Sequence, residues 1–252
     1  MKIHILTLFP EAFSGPLQSS LLGKAQERGL LSVELIQIRK FATDKHRSVD
    51  ETPYGGGEGM LMRVDVLHAA WESVQNAAAS TGAPPVLGGP FFGGTTKGRI
   101  PTIFLSPQGR TLDSEFVKAL VAEVSQQTPS EMLWVCGHYE GIDERFIEKC
   151  VDLEVSIGDY VLTGGELPAM VLLDAMARWI PGVIGNERSV TGDSFEGGFL
   201  KYPQYTKPRE FQGASVPDVL LSGNHQAIES WRREQSLKRT SQRTGTKRKP
   251  LK

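Results

Sequence analysis

Strand-like and helix-like segments alternate from Ile3 to Trp179, and this alternation constrains the fold more than any other feature of the sequence. The strand-like segments are short apolar or alternating runs: Ile3–Phe9, Val33–Ile38, Ile103–Leu105, Met132–Cys136 and one or two strands within Val151–Leu162. The helix-like segments have apolar residues every three or four positions: Pro16–Arg28, Val64–Ala79, Ser114–Gln127, Asp143–Cys150 and Leu167–Trp179. Parallel strands need connections of helix length, so the order predicts an α/β fold with a parallel sheet and helices on both faces.

Two irregular segments interrupt this order and divide the chain. Residues 80–101 are rich in Gly and Pro, which favours an exposed, mobile insertion. Residues 185–200 are polar and have few periodic apolar positions, whereas Asp218–Arg239 again has helical spacing. We therefore predict an α/β domain at residues 1–183, a flexible linker at 184–200, and a small C-terminal helical domain with a basic tail at 201–252.

The charge distribution favours an anionic partner although the net charge is only −1. Residues 231–252 contain nine Lys and Arg against a single acidic residue, Glu234, which gives this stretch a net charge of +8. A local block of positive charge attracts phosphates even on a nearly neutral protein. The alternative is a solvated, disordered tail.

Targeting and redox signals are absent from the sequence. No segment approaches the roughly 20 apolar residues that span a bilayer, and the run after Ile3 is too short for a secretory signal. Cys136 and Cys150 are the only cysteines, and no Cys/His cluster has the spacing of a zinc site. These observations predict a cytoplasmic protein with reduced thiols and no membrane partner.

Three glycine-rich turns follow strand-like runs, at Leu105–Gly109, Cys136–Gly141 and Ile157–Gly165. In open α/β sheets, ligands bind beyond the carboxyl ends of the strands, and glycine lets the backbone approach a ligand closely. Together the turns predict a composite ligand site, although each could be an ordinary tight turn. The sequence contains neither G-x-G-x-x-G nor G-x-x-x-x-G-K-[ST], which disfavours a nucleotide-binding oxidoreductase or a phosphate-binding loop.

A fourth glycine-rich segment, Tyr54–Met60, has four glycines and therefore a high entropic cost of ordering. We interpret it as a loop that contacts a ligand or moves, with a flexible connector as the alternative.

Seven segments resemble the bacterial tRNA (guanine-N1-)-methyltransferases, which are knotted RNA methyltransferases of the SPOUT class. They are Asp44–Asp50 (DKHRSVD), Pro53–Met60 (PYGGGEGM), Leu105–Gly109 (LSPQG), Cys136–Arg145 (CGHYEGIDER), Ser156–Leu162 (SIGDYVL), Gly164–Met170 (GGELPAM) and Val219–His225 (VLLSGNH). The resemblance runs in order from residue 1 to about residue 240. It implies a deep trefoil knot in the first domain, a homodimer with composite active sites, and tRNA binding by the C-terminal domain.

The same resemblance implies an activity and a cofactor site. The activity is methyl transfer from S-adenosyl-L-methionine to N1 of guanosine 37 in tRNA, with Mg²⁺ as an additional ion. Fifteen residues are expected to bind the cofactor: Leu105, Ser106, Pro107, Gly137, Tyr139, Glu140, Gly141, Ile157, Gly158, Tyr160, Val161, Leu162, Gly164, Gly165 and Pro168.

Two catalytic residues are also carried over by the resemblance. Asp193 would be the general base that removes the N1 proton of guanine, and Arg178 would pair with it or stabilise charge on O6. From the sequence alone, Asp193 is equally a turn residue in a Thr-Gly-Asp-Ser loop, and Arg178 a cation at a helix C-terminus.

Other polar residues receive separate interpretations. Glu140 would neutralise the amino group of the cofactor, help to hold Mg²⁺, or make a structural hydrogen bond. Asp159 and Glu166 are interpreted as loop and helix-cap residues, and His138 receives no catalytic role. The remaining interpretations place His46 and Arg47 in contact with tRNA and Trp231 in the core of the small domain.

Two alternatives to this function remain at the level of sequence. The chain could be another knotted RNA methyltransferase that acts on a different base or on ribose, for which an acid aimed at guanine N1 is not required. It could also be an RNA-binding protein that has lost catalysis.

Overall fold

A five-stranded parallel sheet forms the centre of the first of two units in the computed structural model of this chain. The structure describes residues 1–81, 90–92, 99–126, 129–185 and 193–245. The first unit is Met1–Gly185 and the second is Asn186–Lys252. The strands of the sheet lie in the order Ser32–Gln37, Lys2–Thr7, Glu131–Cys136, Thr102–Thr111 and Leu153–Ser156, and every neighbouring pair is parallel.

The elements of the first unit follow the predicted alternation. Its strands are β1 (Lys2–Thr7), β2 (Ser32–Gln37), β3 (Asp50–Glu51), β4 (Leu61–Met62), β5 (Thr102–Thr111), β6 (Glu131–Cys136) and β7 (Leu153–Ser156). Its helices are α1 (Ser14–Gln18), α2 (Ser20–Glu27), α3 (Val64–Thr81), α4 (Ser114–Ser125), α5 (Glu144–Cys150) and α6 (Glu166–Ala177). The short strands β3 and β4 form a separate antiparallel pair on either side of the Tyr54–Met60 loop.

Two apolar cores cover the two faces of the sheet. Alternate residues of a strand point to opposite faces, and accordingly Ile5 and Trp134 belong to one core whereas Leu6 and Val135 belong to the other. The first core includes residues of α1, α2, α4 and α6, and the second includes residues of α3 and α5. The prediction of a parallel α/β fold with helices on both faces is confirmed.

The predicted helix Pro16–Arg28 is wrong in its continuity, because Ser19 is extended and separates α1 from α2. The break brings the carbonyl group of Gln18 against Gly23. A β carbon at position 23 would lie 2.6 Å from that oxygen, so this close approach of α1 and α2 requires glycine at position 23.

The predicted end of β5 at Leu105 is also wrong, because the strand resumes and continues to Thr111. Residues 106–109 form a bulge, since both Leu105 and Arg110 are in register with Val155 of β7. Gly109 permits this return because it packs directly on the backbone of Glu154 and Val155.

The expectation of an exposed insertion at residues 80–101 is wrong at Phe91, Phe92 and Ile100. Phe92 and Ile100 are buried, and the backbone N–H groups of Phe91 and Phe92 donate to the carboxylate of Glu123 at 3.2 and 3.3 Å. The aromatic rings gain from burial against α4 despite the Gly- and Pro-rich sequence around them. Residues 82–89 and 93–98 of the insertion lie outside the described residues.

The second unit contains the hairpin β8 (Glu210–Phe211) and β9 (Ala214–Ser215) and the long helix α7 (His225–Gly245). The predicted helix Asp218–Arg239 starts too early, because Asp218–Leu221 forms a 3-10 turn. Gly223 has φ +70° and ends this turn, and the side chain of Asn224 accepts the N–H of Ala227 at 3.1 Å at the start of α7. In neither unit does a described helix have the length and apolar character needed to cross a membrane.

Candidate active site

A cavity opens where the bulge of β5 and the carboxyl ends of β6 and β7 meet the N-terminus of α6. All fifteen residues expected to bind the cofactor line it: Leu105, Ser106, Pro107, Gly137, Tyr139, Glu140, Gly141, Ile157, Gly158, Tyr160, Val161, Leu162, Gly164, Gly165 and Pro168. They come from the three glycine-rich turns and the start of α6. The fold thus brings together residues that are far apart in the sequence, at the sheet edge where α/β proteins bind ligands.

Glycine is required where α6 meets β6. The N–H of Gly165 donates to the carbonyl of Gly137 at 2.8 Å. A β carbon at position 165 would lie 2.7 Å from the Cα atom of Cys136, which is closer than side-chain carbons approach backbone. The floor of the cavity is therefore bare backbone, with N–H and C=O groups close to any occupant.

The turn at Ile157–Gly165 forms an exposed wall of the cavity. The hydroxyl group of Ser156 lies 3.2 Å from both the amide nitrogen and the carbonyl oxygen of Gly158, and this glycine has φ +147°. The side chains of Tyr160, Val161 and Leu162 beyond it are exposed. Apolar side chains on a glycine-anchored turn can cover a flat, partly apolar ligand.

The Tyr54–Met60 loop reaches the rim of the same cavity. The N–H of Glu140 donates to the carbonyl of Met60 at 3.0 Å, and the Glu140 side chain packs on Gly59, which has φ +84°. Arg39 donates to the hydroxyl of Tyr139 at 3.5 Å on this rim. The glycine-rich loop is therefore attached to the cavity wall rather than being an unattached connector.

Buried polar residues behind the cavity were not recognised from the sequence. Glu166 is 7% exposed, and its carboxylate accepts the hydroxyl proton of Thr7 at 2.7 Å. Its interpretation as a helix cap is wrong, because the N-terminus of α6 has no side-chain cap. The Glu166 carboxylate binds Thr7 of β1 instead. No local sequence signal could reveal a partner 159 positions away.

His138 and Cys136 also lie at this end of β6. His138 lines the cavity, its ring packs between Phe9 and Tyr139, and its Nδ1 atom is buried without a hydrogen-bond partner in the described parts of the chain. Burial, followed by the nearby negative charge of Glu166, raises the pKa of the Cys136 thiol well above its ordinary value. A neutral, buried thiol is a poor nucleophile, so Cys136 is a core residue.

The two proposed catalytic residues lie in different units. Arg178 is exposed and forms the C-cap of α6 in the first unit. Asp193 belongs to the second unit, where its carboxylate lies 2.9 Å from the ammonium group of Lys201. Within the first unit, Arg178 is not among the residues that line the cavity.

The remaining candidates lie at the surface. His46 and Arg47 are exposed in a turn that the Asp44 carboxylate closes by accepting the N–H groups of His46 and Ser48. Within the described ranges, no cluster of three or more His, Cys, Asp or Glu residues could hold a metal ion.

Comparison with known proteins gives one consistent result. A family model described as tRNA (Guanine-1)-methyltransferase TrmD matches residues 1–248. The chain is 51% identical over 243 residues to a tRNA (guanine-N(1)-)-methyltransferase of Pelotomaculum thermopropionicum, covering 96% of this chain and 88% of the relative. Proteins of the same name from Carboxydothermus hydrogenoformans and Protochlamydia amoebophila are 49% and 47% identical, with 95% and 96% of this chain and 84% and 97% of those relatives covered.

Proposed function

Since the chain belongs to the tRNA (guanine-1)-methyltransferase family, we propose that it methylates N1 of guanosine 37 in tRNA and uses S-adenosyl-L-methionine as the methyl donor. Methylation of a tRNA guanine at N1 is the activity for which the family and its curated relatives are named, and the chain shares it. The observation that carries the finer proposal is the cavity at the sheet edge, where all fifteen expected cofactor residues meet.

The chemistry of the cavity fits this donor. Three glycine-rich turns offer backbone N–H and C=O groups to a flat base and a ribose, and Glu140 places a carboxylate at the rim for a cationic amino group. When bound, the donor supplies an electrophilic methyl group on a sulfonium sulfur. The cavity residues would hold that group in line with the incoming nitrogen, which is the main requirement of a direct displacement.

Asp193 and Arg178 would supply the proton chemistry. Guanine N1 carries a proton at neutral pH, and its lone pair becomes an effective nucleophile when a base removes that proton. In the proposal the carboxylate of Asp193 accepts the proton, the N1 electron pair forms the new bond to carbon, and the carbon–sulfur pair remains on sulfur. The guanidinium of Arg178 would stabilise the negative charge that develops on O6.

The topology and surface of the first unit support two further parts of the proposal. Gly164, just before α6, forms an antiparallel bridge with His138, just after β6, and this contact is compatible with the deep trefoil knot. Leu167 and Val171 are 54% and 46% exposed on one face of α6, and Val161 nearby is 84% exposed. Exposed apolar side chains of this kind favour a protein partner, so we assign this face to a homodimer with composite active sites.

The proposed functions are assigned to separate segments of the chain. We assign cofactor binding and catalysis to residues 1–183, with the base Asp193 supplied by the linker at residues 184–200. Residues 201–252 would bind tRNA, and the basic residues of α7 would contact phosphates. The expectation of Mg²⁺ depends on the resemblance alone, and titration of magnesium into the methylation assay tests it. The proposed location is the cytoplasm, because the substrate is tRNA.

Site mapping tests the proposed function. The purified protein is incubated with labelled donor and a tRNA transcript that has guanosine at position 37, with the same transcript carrying adenosine there as the control. We expect label at N1 of guanosine 37 and none in the control. Label on ribose or on another base would instead establish the alternative of a different RNA methyltransferase.

Substitution of the proposed general base, Asp193, distinguishes an effect on catalysis from an effect on cofactor binding. We expect Asp193→Ala to abolish methylation while the affinity for S-adenosylhomocysteine, measured by calorimetry, stays within a few-fold of the original. A wild-type protein that bound tRNA but not S-adenosylhomocysteine would favour the inactive RNA-binding alternative.

A further inference from the structure

Asp193 and Lys201 close a short segment of the second unit on itself. The ammonium nitrogen of Lys201 lies 2.9 Å from Oδ1 of Asp193. The backbone N–H of Lys201 donates to the hydroxyl of Ser194 at 3.1 Å, and that of Phe195 donates to the carbonyl of Phe199 at 2.6 Å. Side-chain and backbone contacts therefore hold both ends of residues 193–201 together.

The closed segment is attached to the second half of α7. The N–H of Leu200 donates to the hydroxyl of Thr240 at 2.9 Å, and the hydroxyl of Ser236 donates to the carbonyl of Leu200 at 2.6 Å. The guanidinium of Arg239 donates to the carbonyl of Lys201 at 3.2 Å. The backbone of Lys201 is thus fixed from both sides, by Ser194 and by α7, so its side chain approaches Asp193 from a defined position.

We propose that Lys201 is a positioning residue for Asp193, holding the carboxylate in the orientation in which it accepts the N1 proton. This inference rests on the proposed role of Asp193 as the base. A hydrogen bond from a charged donor is stronger than one from a neutral donor, so the ammonium group of Lys201 fixes the direction of the Asp193 carboxylate. The pair is partly exposed, at 28% and 35% for the Lys201 and Asp193 side chains, so the guanine can reach the acid.

The competing explanation is an ordinary surface ion pair. Such pairs contribute little to stability, because solvent screens them and two long side chains lose entropy. That explanation predicts that loss of Lys201 has no effect on the chemical step. A direct phosphate contact is a third explanation, and it predicts weaker tRNA binding with an unchanged chemical step.

Two substitutions of Lys201 and one matched control distinguish these explanations. Lys201→Met removes the charge and keeps most of the aliphatic chain, and Lys201→Arg keeps the charge. Lys207→Met removes an exposed lysine elsewhere in the second unit. Single-turnover methylation is measured at saturating donor and tRNA, together with the affinities for S-adenosylhomocysteine and tRNA and the thermal unfolding of each variant.

We expect Lys201→Met to slow the single-turnover step by about tenfold or more, because small misplacements of a reacting group cost rates of this order. Lys201→Arg should restore most of the rate, and both affinities should stay within about twofold. The single-turnover rate of Lys207→Met at saturating tRNA should equal that of the original protein. If Lys201→Met unfolds at lower temperature, Lys201→Gln takes its place, since its polar end preserves solvation without the charge.

Two outcomes would overturn the inference: a single-turnover rate of Lys201→Met equal to that of Lys207→Met, or a loss confined to tRNA affinity. A different result bears on the function itself. If Asp193→Ala retained full turnover, the assignment of the base would fail, whatever the behaviour of the Lys201 variants.

Discussion

Gly165 is the cavity glycine at which an added β carbon would meet backbone atoms rather than side-chain atoms. Its neighbours are the backbone atoms of Cys136 and Gly137, at 2.7 and 2.9 Å from an ideal β carbon. Backbone in the middle of a sheet cannot move as a flexible side chain can, so the clash would have to be relieved by shifting α6 away from β6.

We therefore expect Gly165→Ala to destabilise the protein by about 1–3 kcal/mol and to reduce cofactor affinity. Denaturant unfolding and calorimetry with S-adenosylhomocysteine measure the two effects. Gly15→Ala is the control, because no atom lies within 4 Å of its β carbon and its φ is not positive. Equal behaviour of the two variants would show that α6 is not tightly docked on β6.

His4 is a buried titratable residue on β1 whose side chain lies between two carboxylates, at 3.1 Å from Glu34 and 3.4 Å from Glu131. Burial, followed by the positive charge of Lys2, lowers the pKa of His4 below its ordinary value of 6.5, and the two glutamates only partly oppose this. The folded protein therefore keeps His4 neutral at a pH where the unfolded chain already binds a proton.

This difference predicts a pH dependence of stability. As the pH falls below about 6.5, the unfolded chain takes up a proton that folded His4 does not, so the free energy of unfolding falls by at most about 1.4 kcal/mol per pH unit. The free energy of unfolding should stop falling once the pH is below the pKa of His4 in the folded protein. Denaturant unfolding of the original protein and of His4→Gln measures it, and parallel pH profiles for the two proteins would contradict this origin.

At the scale of elements, α7 combines two proposed functions. Its basic residues favour phosphate binding, and its Ser236, Arg239 and Thr240 hold the segment that carries Asp193. Residues 246–252, which lie outside the described residues, contain four more basic residues, whereas the contacts named above come from residues 236–240. The two functions can therefore be separated by the length of a truncation.

Deletion of residues 246–252 should weaken tRNA binding. The slope of the logarithm of the binding constant against the logarithm of the salt concentration should become less steep by about three, because four cations are removed. Turnover at saturating tRNA should stay unchanged. Deletion of residues 240–252 also removes Thr240, so turnover should fall as well. Binding measured at several salt concentrations and single-turnover rates test this, and an equal effect of the two deletions on turnover would contradict it.

At the scale of the whole molecule, the exposed apolar face of α6 distinguishes the proposed dimer from a monomer. Leu167 and Val171 are one helical turn apart on that face. In a monomer they would face water, where introduced charge costs little.

We expect the double substitution Leu167→Glu and Val171→Glu to produce a monomer that is still folded, as its unfolding transition would show. The monomer should have lost methylation, because each composite active site needs both subunits. Sedimentation and light scattering give the mass. Leu221→Glu, at a similarly exposed apolar position in the second unit, is the control and should leave the mass unchanged. A wild-type protein that is already monomeric would remove the dimer from the proposal.

The sequence alone determined the features that depend on local periodicity. The alternation of strands and helices, the parallel sheet and the two buried faces follow from side-chain patterns that repeat within one element. The glycine-rich turns were likewise visible, because glycine marks backbone that turns or approaches closely. Which residues of those turns are expected to bind the cofactor was indicated by the family resemblance rather than by periodicity.

Only the tertiary structure decided the contacts between residues that are distant in the chain. The bulge and return of β5, the burial of Phe91 and Phe92 on α4, and the hydrogen bond between Thr7 and Glu166 each depend on a partner brought near by folding. Even the pairing of Asp193 with nearby Lys201 occurs in a segment held by Thr240 of α7. A local pattern carries no information about such partners, because their proximity arises from the packing of whole elements.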